Sequence, residues 1–252
     1  MSLRAERIHY FHANATAIGG YIERPFKRDI PVQSPTSLSP SGGSDDASTI
    51  NFDFEKIISA RMTRTRVEGH YAGAFPRTRA TAIVEDLNVL GVIRVDELVA
   101  YISSTHPGKA PDVPIIDLGR TAINGLRVGN SALRVHLDLD RLTIDKGKDF
   151  PKKPHLFDKD VWARAGKKKE FDPDRGSLQC SLVEEIEVVG GKRPDIDGNI
   201  ITIPNIGRVH LAELIVTGNS YELIMMRLEL GCPTVGSSSA SATKVNGQGG
   251  GG

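Results

Sequence analysis

The sequence predicts an all-β protein, a two-sheet antiparallel β-sandwich, on three observations. A hydrophobic period of two dominates from Arg77 to Ile102, from Leu133 to Leu139 and from Ile200 to Leu230, the signature of half-buried strands. Polar residues fill the opposite face of most of these runs, as on sheets that bury one side. The links are short and turn-forming, which favours antiparallel neighbours. An irregular β-helix is the alternative architecture, suggested by an aliphatic-x-Val motif ending near a glycine. It recurs as Leu87-Asn-Val-Leu-Gly91, Leu126-Arg-Val-Gly129, Ile186-Glu-Val-Val-Gly190 and Leu214-Ile-Val-Thr-Gly218. Its spacing is too uneven for a regular solenoid, and glycines able to take positive φ explain it as strand ends turning a corner.

Along the chain, one β-rich domain is expected over residues 1–232. Residues 31–48 hold three prolines among serines and glycines and predict a long surface loop, because proline withholds a ladder donor and these residues offer little area to pack. In the run from Arg77, Leu87 and Val89 face one way, Asp86 and Asn88 the other. Leu133, Val135, Leu137 and Leu139 oppose Arg134, His136, Asp138 and Asp140 in the same fashion. Residues 141–178 break the pattern as a charged surface insertion. Within it, Asp158-Lys-Asp-Val-Trp-Ala-Arg-Ala predicts a short helix capped by Asp158 or Asp160, anchored to the sheet by Phe157 and Trp162. Three consecutive strands follow, at Ile200–Ile203, Arg208–Val216 and Tyr221–Leu230. In the last, alternation places Ile224, Met226, Leu228 and Leu230 in the core, with Arg227 on a wet face. Residues 233–252, rich in Ser, Ala and Gly, predict a disordered tail.

Composition narrows the function classes. Thirty-two basic side chains against 31 acidic ones leave a formal charge of +1, without the basic excess of a nucleic-acid binder. No run approaches the roughly 18 uninterrupted apolar residues of a membrane helix. The first ten residues lack the apolar segment of a secretory signal. Cys180 and Cys232 are too few for a disulfide framework and lack zinc spacing; two buried thiols are expected, with one disulfide the alternative.

The segments Ala15-Thr-Ala-Ile-Gly-Gly, Val84-Glu-Asp-Leu-Asn-Val-Leu-Gly-Val-Ile-Arg-Val, Thr121-Ala-Ile-Asn-Gly-Leu-Arg-Val-Gly and Asn199-Ile-Ile-Thr-Ile-Pro-Asn-Ile-Gly-Arg-Val-His-Leu follow one another across residues 10–230. This series resembles the bacterial choice-of-anchor P family. The resemblance implies a β-rich, often exported protein and carries over no catalytic residue. The charged insertion, and the lack of a recognisable signal peptide, anchoring helix or sortase-type tail, depart from that pattern, so the resemblance assigns no compartment.

The sharpest chemical constellation is His136-Leu-Asp-Leu-Asp140. On an extended strand His136, Asp138 and Asp140 would project on one face at steps of ~7 Å, a His-x-Asp-x-Asp set able to hold a divalent ion; a strand with one solvated face has the same pattern. Asp195-Ile-Asp-Gly-Asn199 opens like a calcium loop, but a strand follows it, so Asp197-Gly198 reads as a hairpin turn. Arg61, Arg64, Arg66, Arg77 and Arg79, with Lys167-Lys-Lys, form basic patches with too few aromatics for base stacking. His9 and His12 fall on opposite faces of their strand. No nucleophile or phosphate-loop motif is present, and no cofactor is implied. The sequence therefore favours a non-catalytic structural or interaction protein whose partner is a protein, itself included, met through strand edges. A divalent-metal-dependent enzyme using His136, Asp138 and Asp140 is the rival.

Overall fold

A computed structural model describes residues 9–24, 27–107, 112–143, 150–164, 170–172, 176–218, 220–231 and 235–249. The strands are β1 (His9–Arg24), β2 (Arg28–Gln33), β3 (Thr36–Ser37), β4 (Gly43–Phe54), β5 (Ile58–Ala72), β6 (Phe75–Val89), β7 (Ile93–Thr105), β8 (Ile115–Asp117), β9 (Ala122–Asn124), β10 (Leu126–Val128) and β11 (Ser131–Leu137). A short helix α1 (Lys159–Arg164) precedes β12 (Glu170–Asp172), β13 (Ser177–Ser181), β14 (Val183–Gly190), β15 (Asp195–Asp197), β16 (Ile200–Ile203), β17 (Gly207–Thr217), β18 (Ser220–Leu230) and β19 (Val235–Gly249). One ten-stranded sheet runs β12-β13-β17-β18-β19-β1-β2, with β16 also on β17, β15 on β16 and β3 on β1. A nine-stranded sheet runs β14-β11-β10-β7-β6-β5-β4, with β8 and β9 on β7. The protein is an all-β, two-sheet antiparallel sandwich rather than a β-helix.

The sheets share one core, filled along its middle by small side chains. Ala13, Ala15 and Ala17 of β1 and Ser238, Ala240, Ser241 and Thr243 of β19 are buried, as are Thr63, Thr65, Ala80, Ala82 and Ala100 of the other sheet. Backbones of β1 and β19 come within 8 Å (Cα–Cα) of β6, inside the ~10 Å usual between stacked sheets. This corrects the expectation of a disordered tail over 233–252. Residues 235–249 form β19, paired with β18 on one side and β1 on the other. Serines and alanines are what a closely approached central strand can accommodate.

The segment 31–48 is corrected as well. It supplies part of β2, all of β3 and the start of β4, and crosses from one sheet to the other. Ser34, Thr36 and Leu38 are buried. The hydroxyls of Ser34 and Thr63 are 2.7 Å apart, Thr36 donates to Thr65 (3.1 Å), and Thr65 donates to the Ser34 carbonyl (2.6 Å). Buried hydroxyls are tolerated because they are hydrogen-bonded.

The insertion contains the expected helix, and the Asp158 carboxylate accepts from the Asp160 and Val161 amides at 2.8 and 3.3 Å. Its anchoring meets the expectation at Trp162, which packs against the core, and departs from it at Phe157. Phe157 is 67% exposed, while His155, Leu156 and Val161 are buried. The Trp162 indole donates to the Leu156 carbonyl (2.6 Å), and His155 Nδ1 is hydrogen-bonded to the Tyr221 hydroxyl at 2.7 Å. The insertion also yields β12 and the first two residues of β13, so it extends the ten-stranded sheet. Lys167-Lys-Lys lies outside the described residues.

A crease crosses both sheets. Leu211 faces Met226 and Glu213 faces Ile224, leaving Ala212 opposite Met225 outside the ladder with no change of register. The same gap puts Met225 opposite Ser241 and Ser241 opposite Ala17. In the other sheet it aligns Asn51, Arg61, Asp86 and Asp96. Alternate strands carry a left-handed residue there: Asn51, Asp86, Ala212 and Ser241 have φ of 55°, 51°, 49° and 55°. The inward–outward alternation reverses at the crease, in β18 too, whose residue there, Met225, is not left-handed. Tyr221, Leu223 and Met225 are buried before the crease and Met226, Leu228 and Leu230 after it, with Ile224 only half-buried. The inward set expected from strict alternation is thus corrected at Ile224. Leu223→Ala should cost about 2–5 kcal/mol and Ile224→Ala about 1 kcal/mol in denaturant unfolding; the opposite ranking would remove the crease.

Candidate functional site

The His-x-Asp-x-Asp set does not share one strand face. β11 ends at Leu137, and Asp138 and Asp140 sit in the turn that follows. The Asp138 carboxylate pairs with Arg141 (3.0 Å) and accepts the Asp140 amide (3.2 Å), while His136 Nε2 lies 3.5 Å from Glu187. The extended geometry that would align His136, Asp138 and Asp140 as ligands therefore stops one residue short of the first carboxylate.

The other sequence candidates take structural roles. Asp197 pairs with Ile200 across a two-residue hairpin whose Gly198 has φ of 62°, a turn rather than a calcium loop. Arg61 pairs with Glu85 and Asp86, and Arg66 and Arg79 both reach Glu68, so carboxylates on the same sheet largely neutralise the arginine patch. Cys180 is buried and free, its thiol pushed up to about 11 by desolvation; Cys232 lies outside the described residues.

A cavity of about 170 Å³ opens beside β13 and β17, lined in part by Gln179, Cys180, His210, Glu213 and Arg227. Glu213 is buried and accepts from Arg227 Nε (2.6 Å) and Nη2 (2.8 Å) and from Gln179 Nε2 (3.1 Å). Arg227 also pairs with Glu229, and His210 bridges the two carboxylates at 3.5 and 3.3 Å. Partial burial opposes ionisation of Glu229, but the Arg227 hydrogen bond and the nearby charges outweigh it and hold the carboxyl below its usual range. Both Glu213 oxygens are engaged by the guanidinium fork, so Glu213 is not poised to take a substrate proton. The cavity is also smaller than the ~300 Å³ at which small-molecule pockets usually begin. This network holds strands together.

A second cluster lies where the two sheets meet. His9 opens β1 on its inward face, buried, while His12 is exposed. His106 follows β7, its amide donating to the Pro76 carbonyl (2.9 Å), and Pro107 withholds the next ladder donor. The His9 and His106 rings are 4.9 Å apart, and Phe11 meets His9 edge-on at 4.8 Å. His106 Nδ1 is hydrogen-bonded to Asp112 Oδ1 at 3.1 Å. Burial and the neighbouring His106 lower His9 to about 4; burial also lowers His106, outweighing Asp112. Both rings are neutral at pH 7. Among the described residues, Nε2 of each lacks a hydrogen-bond partner. The sequence reading missed this cluster because His9 and His106 belong to different sheets. The only local signal was His106-Pro followed six residues on by Asp112.

The long strand β4 ends the order of the nine-stranded sheet and pairs only with β5 among the described residues. Most of its side chains are exposed, Ile50 at 70%. No helix among the described residues is long and apolar enough to cross a membrane.

Fold and sites together define a two-sheet β-sandwich protein with a strand edge unpaired among the described residues, a buried guanidinium–carboxylate network and an intersheet histidine cluster. The chain belongs to the family described as Domain of unknown function (DUF8256), whose model matches residues 9–172 and 152–217. Comparison with curated proteins and with solved structures gave no match.

Proposed function

We propose that this is a non-catalytic structural protein that associates with copies of itself by strand pairing along β4. The supporting observation is that edge: twelve residues long, last in its sheet, and uncharged from Ala47 to Phe52 around the exposed Ile50. An open row of backbone donors and acceptors is a template for another strand. Asp45, Asp46 and Asp53 flank the uncharged stretch and restrict which register can pair. Antiparallel pairing of two β4 edges about a two-fold axis would join two nine-stranded sheets into one. The saturated Glu213–Arg227 network supports a non-catalytic role.

Light scattering on the purified chain is expected to show a dimer or larger species that dissociates on dilution, with Ile50→Lys monomeric at concentrations where the parent is not. Because Ile50 is exposed, that substitution should leave the thermal transition within a few degrees of the parent. A parent that stays monomeric at every concentration would refute the proposal.

A further inference from the structure

We propose that His9, His106 and Asp112 form a binding site for a divalent cation of the zinc class, linking the two sheets. One ligand atom from each of the three lies within 4.8 Å of the others. Tetrahedral zinc, with bonds of about 2.0–2.2 Å, sets its ligand atoms ~3.3 Å apart. The His106 Nδ1 to Asp112 Oδ1 distance is already 3.1 Å, so a swing of one imidazole that moves its nitrogen by about 1.5 Å closes the set. Zinc-class ions bind imidazole nitrogen, and both rings are buried, His9 against Phe11.

Two further observations favour a ligand over simple packing. His9 is 8% exposed, yet its Nε2 has no hydrogen-bond partner among the described residues. Leaving such atoms unmatched in a core is unfavourable. Nitrogen donors also select against calcium and magnesium, which prefer all-oxygen sites. The Asp112 side chain is 20% exposed and marks the side from which an ion and a completing water enter. His9 stands on β1 and His106 directly after β7, so the ion would clamp one sheet to the other and stabilise the sandwich by binding only its folded form.

The test uses the full chain, stripped with a chelator and titrated with zinc chloride by calorimetry and with cobalt(II) by visible absorption. One equivalent of zinc, four-coordinate cobalt bands and a higher melting temperature with zinc are expected. His9→Gln and Asp112→Asn should each weaken zinc binding at least tenfold, whereas His70→Gln, at an exposed histidine, should leave it unchanged. Circular dichroism checks that each variant is folded, and Asp112→Asn, at the least buried of the three, remains informative if His9→Gln is not. Absence of stoichiometric binding, or parental affinity in Asp112→Asn, would overturn the proposal.

Discussion

Deleting Val235–Gly249 is expected to abolish the cooperative thermal transition. β19 is hydrogen-bonded along its length to β18, from Ser220 opposite Asn246 to Leu230 opposite Gly236, and to β1, from His9 opposite Gly249 to Arg24 opposite Val235. Its removal leaves two facing rows of backbone groups unpaired in the middle of a sheet and uncovers the neighbours of Ala240, Ser241 and Val245, all buried. Each buried group left without a partner costs about 1–3 kcal/mol, against a total stability of ~5–15 kcal/mol for a typical domain. A handful of such groups is enough. Calorimetry and circular dichroism on the truncated chain provide the check; a parental melting temperature would mean that the strand is dispensable.

Arg227→Ala is expected to destabilise the protein by about 3–5 kcal/mol, the range for breaking a buried ion pair from one side. The substitution strands Glu213, whose side chain is 6% exposed and takes two guanidinium hydrogen bonds. Replacing both partners with apolar residues, as in Arg227→Met with Glu213→Leu, should recover most of the loss, since no charge is then left buried alone. Equilibrium unfolding in urea separates the cases. A loss below about 1 kcal/mol for Arg227→Ala would match an exposed pair and return Arg227 to the wet face that alternation in β18 predicts.

That correction shows where periodicity stops being informative. Alternation placed Arg227 outward and Leu228 inward, and Leu228 is indeed buried. The outward face at Arg227, however, is occupied by Glu213 and His210 of β17 and by Glu229. Whether an outward face is wet depends on what neighbouring strands and loops bring to it. The glycine corners show the same limit on a smaller scale. Gly91 and Gly129 take positive φ as their motif predicts, whereas in the third copy the left-handed residue is Gly191 rather than Gly190.

Local chemistry was enough to identify the all-β class, the hairpins joining β15 through β18, and an aspartate cap at Asp158 or Asp160, because each depends on residues within a few positions of one another. The crease, β19, the Glu213–Arg227 pair and the His9–His106–Asp112 cluster were decided by the tertiary structure. An alanine or serine with positive φ carries no composition signal, because neighbouring strands hold it there. A Ser/Ala strand has little area of its own to bury and gains order from the ladders on both sides. His9 and His106 stand ninety-seven positions apart and meet only because two sheets close over a thin core.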